Sequence, residues 1–173
     1  GSEGTLGVVT AVRLRLVPAP AHRAVALIAV DSTAHALTVL ARLRSRLAGL
    51  ACAELMYDEG LAAVCAHTGL PAPFAVPAPA VLLVEVTDPG VDPTDLLVAA
   101  LDEVATGVGL RDAVVGSDSA TRQRLWRYRE AHSETVNALG VPVKLDVAVP
   151  VGRLDELVER LPWVISQAAP GAR

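Results

Sequence analysis

Between residues 22 and 116 the chain alternates short apolar, strand-like runs with helix-length stretches, and this rhythm limits the fold more than any other feature. His22 to Val30 reads as a mostly apolar strand. Asp31-Ser32 then offers an N-cap for a helix running to about Ala48, with Gly49 just past its end and Arg42, Arg44 and Arg46 where the helix dipole favours cations. Cys52 to Tyr57 is a short strand, followed by a weak helical stretch around Leu61 to His67. Residues 69–80, rich in Gly, Pro and Ala, read as a loop before the near-continuous apolar strand Val81 to Thr87. Asp92-Pro93 caps a helix whose Leu97, Ala100, Leu101 and Val104 fall at i, i+3, i+4 and i+7, and Leu110 to Gly116 is one more strand. The pattern predicts an α+β fold: a ferredoxin-like antiparallel sheet with helices packed on one face.

The flanks are read in the same terms. A glycine-rich loop, Gly1 to Gly7, runs into a predicted strand Val8 to Val17, in which Val12, Leu14 and Leu16 alternate with Arg13 and Arg15; the Pro-Ala-Pro-Ala stretch at 18–21 is a linker. Ser119 to Leu139 is the longest predicted helix, closed by Gly140. Pro142 to Val149 alternates as a strand, and a last helix carries Leu154, Leu157, Val158 and Leu161.

Composition excludes several functions. Aromatic residues are 3% of the 173, the net charge is −4 and the pI near 5.5, which argues against a base-stacking platform or a polyanion-binding surface. The apolar run Ala24 to Val30 is far short of the ~20 residues of a spanning helix, no signal peptide is visible, and a cytoplasmic location is expected. Cys52 and Cys65 form no CxxC and have no His pair beside them, so they read as small buried thiols rather than a disulfide framework or zinc site. His22, His35, His67 and His132 are scattered and read as surface or packing residues. Met56 is the only methionine, so the sequence reads as a piece of something longer, either a trimmed domain or a truncated reading.

Three features can carry chemistry. The glycine loop lets a backbone approach a phosphate or a flat cofactor closely, although a tight turn also explains it. On the 119–139 helix, Arg122, Trp126, Arg129 and Ser133 share one stripe at steps of four, three and four, while Leu125, Tyr128, His132 and Val136 give a packing surface. Arg129 and Ser133, one turn apart, are placed to grip one small ligand; a solvated face is the alternative. Lys144 is the only lysine beside fourteen arginines, a compact ammonium where the chain otherwise uses a planar fork.

The segment GSEGTLGVVT at 1–10, and Trp126-Arg127-Tyr128-Arg129-Glu130 followed by Lys144-Leu145-Asp146-Val147-Ala148-Val149-Pro150, resemble FAD-linked oxidases of the vanillyl-alcohol oxidase superfamily. The resemblance is to the C-terminal substrate domain of the branch that includes D-lactate dehydrogenase, the glycolate oxidase flavin subunit and D-2-hydroxyglutarate dehydrogenase, and it covers essentially the whole chain. It implies that residues 1–17 end a flavin-binding domain and that 18–173 form the substrate domain. It further implies FAD contact at Glu3, Gly4, Thr5, Leu6, Gly7, Val8 and Val9, and substrate carboxylates held by Arg129, Ser133 and Lys144. The implied activity is oxidation of a 2-hydroxy acid to the keto acid by hydride transfer to FAD, with an electron acceptor left unspecified. The rest of the flavin domain and an HxHxGDGN-type segment that binds a divalent metal are expected outside these residues, so the chain alone is expected to be inactive. Two alternatives stay open: an alkylglycerone-phosphate synthase-like transferase of the same superfamily, and a non-catalytic ferredoxin-like interaction module.

Overall fold

The protein is described by a computed structural model covering residues 4–106 and 109–171. Its centre is a four-stranded antiparallel sheet in the order β2-β3-β1-β4, made of β1 (His22–Val30), β2 (Leu50–Tyr57), β3 (Ala80–Asp88) and β4 (Leu110–Gly116). The two near-continuous apolar runs, β1 and β3, are the inner strands, paired from His22 opposite Asp88 to Val30 opposite Ala80. A strand covered on both faces can tolerate few polar side chains, so the unbroken apolar character of these runs reports their central place. The edge strand β2 joins β3 through a close approach at Gly49. An added Cβ there would lie 2.1 Å from the Thr87 carbonyl oxygen, and Gly49 O accepts the Thr87 N–H at 2.8 Å.

Helices α1 (Thr33–Arg46) and α3 (Thr94–Ala105) cover one face, as expected. Ala36, Val39 and Leu43 from α1 and Leu97, Ala100, Leu101 and Val104 from α3 pack on Ala24, Ala26, Ile28 and Val30. Ser32 caps α1 by accepting the His35 N–H at 3.2 Å. In α3 the cap position falls on Pro93, while the Asp92 carboxylate accepts the Thr94 N–H at 2.9 Å. The opposite face is covered too. Here α2 (Asp58–Thr68), α4 (Ser119–Glu130) and the 69–79 loop lay Leu61, Phe74, Ala78, Leu125 and Tyr128 over Val25, Leu27, Val81 and Leu83. Tyr128 is held in place by donating its hydroxyl to Pro71 O at 2.7 Å. The α+β ferredoxin-like fold therefore stands, but helices pack on both faces rather than one, the second layer being formed by α2 and the 69–79 loop, between β2 and β3, and by α4, after β4.

Three predicted elements differ. The helix expected over Ser119 to Leu139 divides at Ala131, whose ψ of −9° flattens the turn, so that α4 is followed by α5 (His132–Leu139). The strands expected at Val8 to Val17 and Pro142 to Val149 have no regular secondary structure, are almost wholly exposed and pair with none of β1–β4. Alternation gives a chain two faces, but a strand also needs a neighbour to take its backbone groups, and neither segment has one among the described residues. The last helix, α6 (Leu154–Ala168), follows a 3₁₀ turn at Val151–Arg153. Its Leu154, Leu157, Val158 and Leu161 are half-buried and none of its residues is fully buried.

Candidate functional site

The sheet face beneath α4 is apolar along most of its length and polar at one end. Alternation along β2 puts Cys52 and Glu54 on the same side as the buried Met56, and along β3 it puts Glu85 beside Leu83 and Val81. Glu85 is 8% exposed, and its carboxylate accepts from Arg23 Nη1 at 2.8 Å and from the Trp126 indole N–H at 2.9 Å. Both donors are needed, because a buried carboxylate without partners is costly. The single charge in the apolar run of β3 was the sequence signal for this residue, and reading the run only as a strand missed it.

Arg129, at the end of α4, meets Glu54 across the sheet edge: Nε lies 3.3 Å from Oε2, and Nη2 lies 3.4 Å from Oε1. Asp118 sets the start of that helix, accepting the Thr121 N–H at 2.9 Å, and this bond holds its carboxyl below the usual range. Arg129, Ser133, His132, Glu54 and Glu59 line one hollow of about 450 Å³. His132, read as a surface or packing residue, lies half-buried at this rim, with Nδ1 3.2 Å from Arg129 O. Gly60 makes room for it, since a Cβ there would come within 3.1 Å of the imidazole Nε2. Burial pushes the Cys52 thiol above its ordinary range, and the carboxylates of Glu54 and Glu85 add to that. A second hollow, of about 490 Å³, lies on the other side of Trp126 and is lined by Arg23, Glu85 and Arg122. The stripe Arg122, Trp126, Arg129 and Ser133 thus leans over the polar end of the sheet rather than facing only solvent.

The remaining predicted residues are not brought to this hollow. Lys144 sits on the exposed 141–150 segment and does not line it. Gly4, Thr5, Leu6, Gly7, Val8 and Val9 are exposed on the 4–20 segment, and Glu3 lies outside the described residues. Gly4 has φ +75°, which accounts for glycine there, whereas a Cβ on Gly7 would meet nothing within 4 Å. Among the described residues no group of three or more His, Cys, Asp or Glu is placed to hold a metal ion, and no helix is long and apolar enough to cross a membrane.

Comparison with known proteins gives one family, FAD linked oxidases, C-terminal domain, which matches residues 19–165. The chain is 34% identical over 161 residues to the mitochondrial D-2-hydroxyglutarate dehydrogenase of Bos taurus, covering 91% of this chain and 29% of that protein. It is 31% identical to the D-2-hydroxyglutarate dehydrogenase of Xanthomonas citri pv. viticola, covering 98% of this chain and 35% of that one, and 26% identical to that of Stutzerimonas stutzeri, covering 98% and 36%. The chain spans about a third of the length of these curated relatives.

Proposed function

From the premise that this chain belongs to the FAD-linked oxidases, through their C-terminal domain, we propose that it is the substrate-holding part of a flavin-dependent oxidoreductase acting on a 2-hydroxy acid. The observation that carries this reading is that Arg129 and Ser133 open onto one hollow in which the arginine already meets a carboxylate, that of Glu54. A guanidinium that donates to one carboxylate along an edge has further N–H groups to donate to another.

In this reading Arg129 binds the substrate carboxylate through paired N–H groups and Ser133 donates its hydroxyl one turn later. Lys144 adds charge at the same or a second carboxylate once the 141–150 segment is covered. Together they fix the hydroxyl-bearing carbon in place, and placement is where a protein contributes most to a cofactor's reaction. A bound FAD would supply the chemistry of accepting a hydride from that carbon. Gly4 to Val9 would lie against it, with Glu3. The backbone around Gly7 is open, so a flat group could approach it closely there. Residues 1–17 would then belong with the flavin domain and 18–173 with the substrate domain, in keeping with a family match that begins at residue 19. A divalent metal would be held by residues other than these 173. The chain alone would not turn over and, carrying one wall of the flavin site, would purify without the yellow of bound flavin.

NMR titration of the chain with D-2-hydroxyglutarate tests the reading, using the Arg129 Nε–H as reporter. We expect a saturable shift there. Charge-assisted hydrogen bonds are worth about 1.5–3 kcal/mol, so Arg129→Lys, which keeps the charge and loses the fork, should weaken binding about ten- to a hundredfold. Equal affinity in the parent and in Arg129→Lys would remove Arg129 from the site.

A further inference from the structure

Resting on the reading of Arg129 as a carboxylate clamp, a second question is how many carboxylates the hollow accepts. Glu54 occupies the Nε and Nη2 edge of the guanidinium at 3.3 and 3.4 Å. A guanidinium carries five N–H donors, and a partner on the side edge leaves the end-on pair, one N–H from each terminal nitrogen. That is one carboxylate's worth of fork. Charge points the same way. The lining contains the two carboxylates of Glu54 and Glu59 against the single guanidinium of Arg129, and Lys144 does not contribute to it. Glu54 and Arg129 are 35% and 45% exposed, so their mutual attraction is modest and an incoming carboxylate can share the arginine.

We infer that Glu54 is a specificity-determining residue: it takes one edge of Arg129 and sets its charge against any ligand bringing a second carboxylate into the hollow. In a space of about 450 Å³ a second carboxylate stays within about a Debye length of Glu54, so the repulsion is not screened away. At ~7 Å and an effective dielectric between about 40 and that of water (~80), as suits groups this exposed, removing that charge shifts the balance between a two-carboxylate and a one-carboxylate 2-hydroxy acid by about three- to eightfold.

The ratio of two affinities reads this effect while cancelling whatever Glu54 does for the posture of Arg129, because both ligands use the same fork. The probes are D-2-hydroxyglutarate and D-lactate, titrated by NMR onto the parent chain, Glu54→Gln, Glu54→Thr and Glu54→Asp. Glu54→Gln and the strand-compatible Glu54→Thr should each raise the relative affinity for D-2-hydroxyglutarate about three- to eightfold, whereas Glu54→Asp, which keeps the charge, should leave the ratio within about twofold of the parent. Arg129→Gln is titrated alongside. If Arg129→Gln loses both ligands while the ratio is unmoved in the folded neutral variants, the role of Glu54 is overturned and the clamp stands. If Arg129→Gln binds both ligands like the parent, the clamp itself is overturned.

Discussion

The strands β1 and β3 and the segments 4–20 and 141–150 are similarly rich in Val and Leu, yet they meet opposite fates. Ala24 to Val30 are at most 1% exposed, whereas Leu14 is 76% and Val143 88% exposed. The difference lies in what each is offered. Helices on both sides and a strand on each edge surround β1, while neither of the other two segments joins the sheet. Apolar patterning specifies that a surface is to be covered and says nothing of what covers it. Exposed runs of this kind on an otherwise well-packed domain mark interaction surfaces, which fits the proposal that this chain lies against a flavin-binding partner.

The contrast can be broken most forcefully in the core. Leu27 is fully buried in the layer under α4, so Leu27→Ala should destabilise the chain by about 2–5 kcal/mol, while Leu14→Ala should stay within about 0.5 kcal/mol, both read as urea midpoints. Equal losses would mean that residues 4–20 pack as a core element does. A smaller effect is expected at the polar end of the same face. Glu85→Ala leaves the Trp126 indole N–H and Arg23 without their acceptor and should cost about 1–3 kcal/mol, with Glu85→Gln recovering part of it. Smallest of all, Lys144→Met should leave the stability of the chain unchanged, because the residue is exposed, and should weaken dicarboxylate binding only when the chain is joined to a flavin domain that covers 141–150.

The sheet was legible because β1, β3, α1 and α3 each carry their own period, and a period together with a cap defines an element. Arg129 and Ser133 were legible for the same reason, since helical spacing alone puts them one turn apart. Glu54 and Glu85 were not. Glu85 stands out locally as a charge within an apolar run, but the roles of both depend on β2 lying beside β3 beneath α4, a pairing between residues far apart in sequence that no local pattern encodes. His132 packs against Gly60 as a surface or packing residue, and the turn at Ala131 between α4 and α5 also brings its imidazole to the rim of the hollow. Val8 to Val17 and Pro142 to Val149 have the alternation of strands but no neighbouring strand among the described residues.

Amide hydrogen exchange, measured on the chain alone and on the chain made contiguous with a flavin-binding domain of its family, tests most directly whether this is a self-contained sheet with surfaces built for a partner. The account predicts slow exchange at Val81 to Val86 in both. It predicts fast exchange at Val8 to Leu16 and Val143 to Val149 in the chain alone, slowing at least tenfold when the flavin domain is present. Exchange at those two segments that is equally fast in both, or already as slow as β3 in the chain alone, would contradict it.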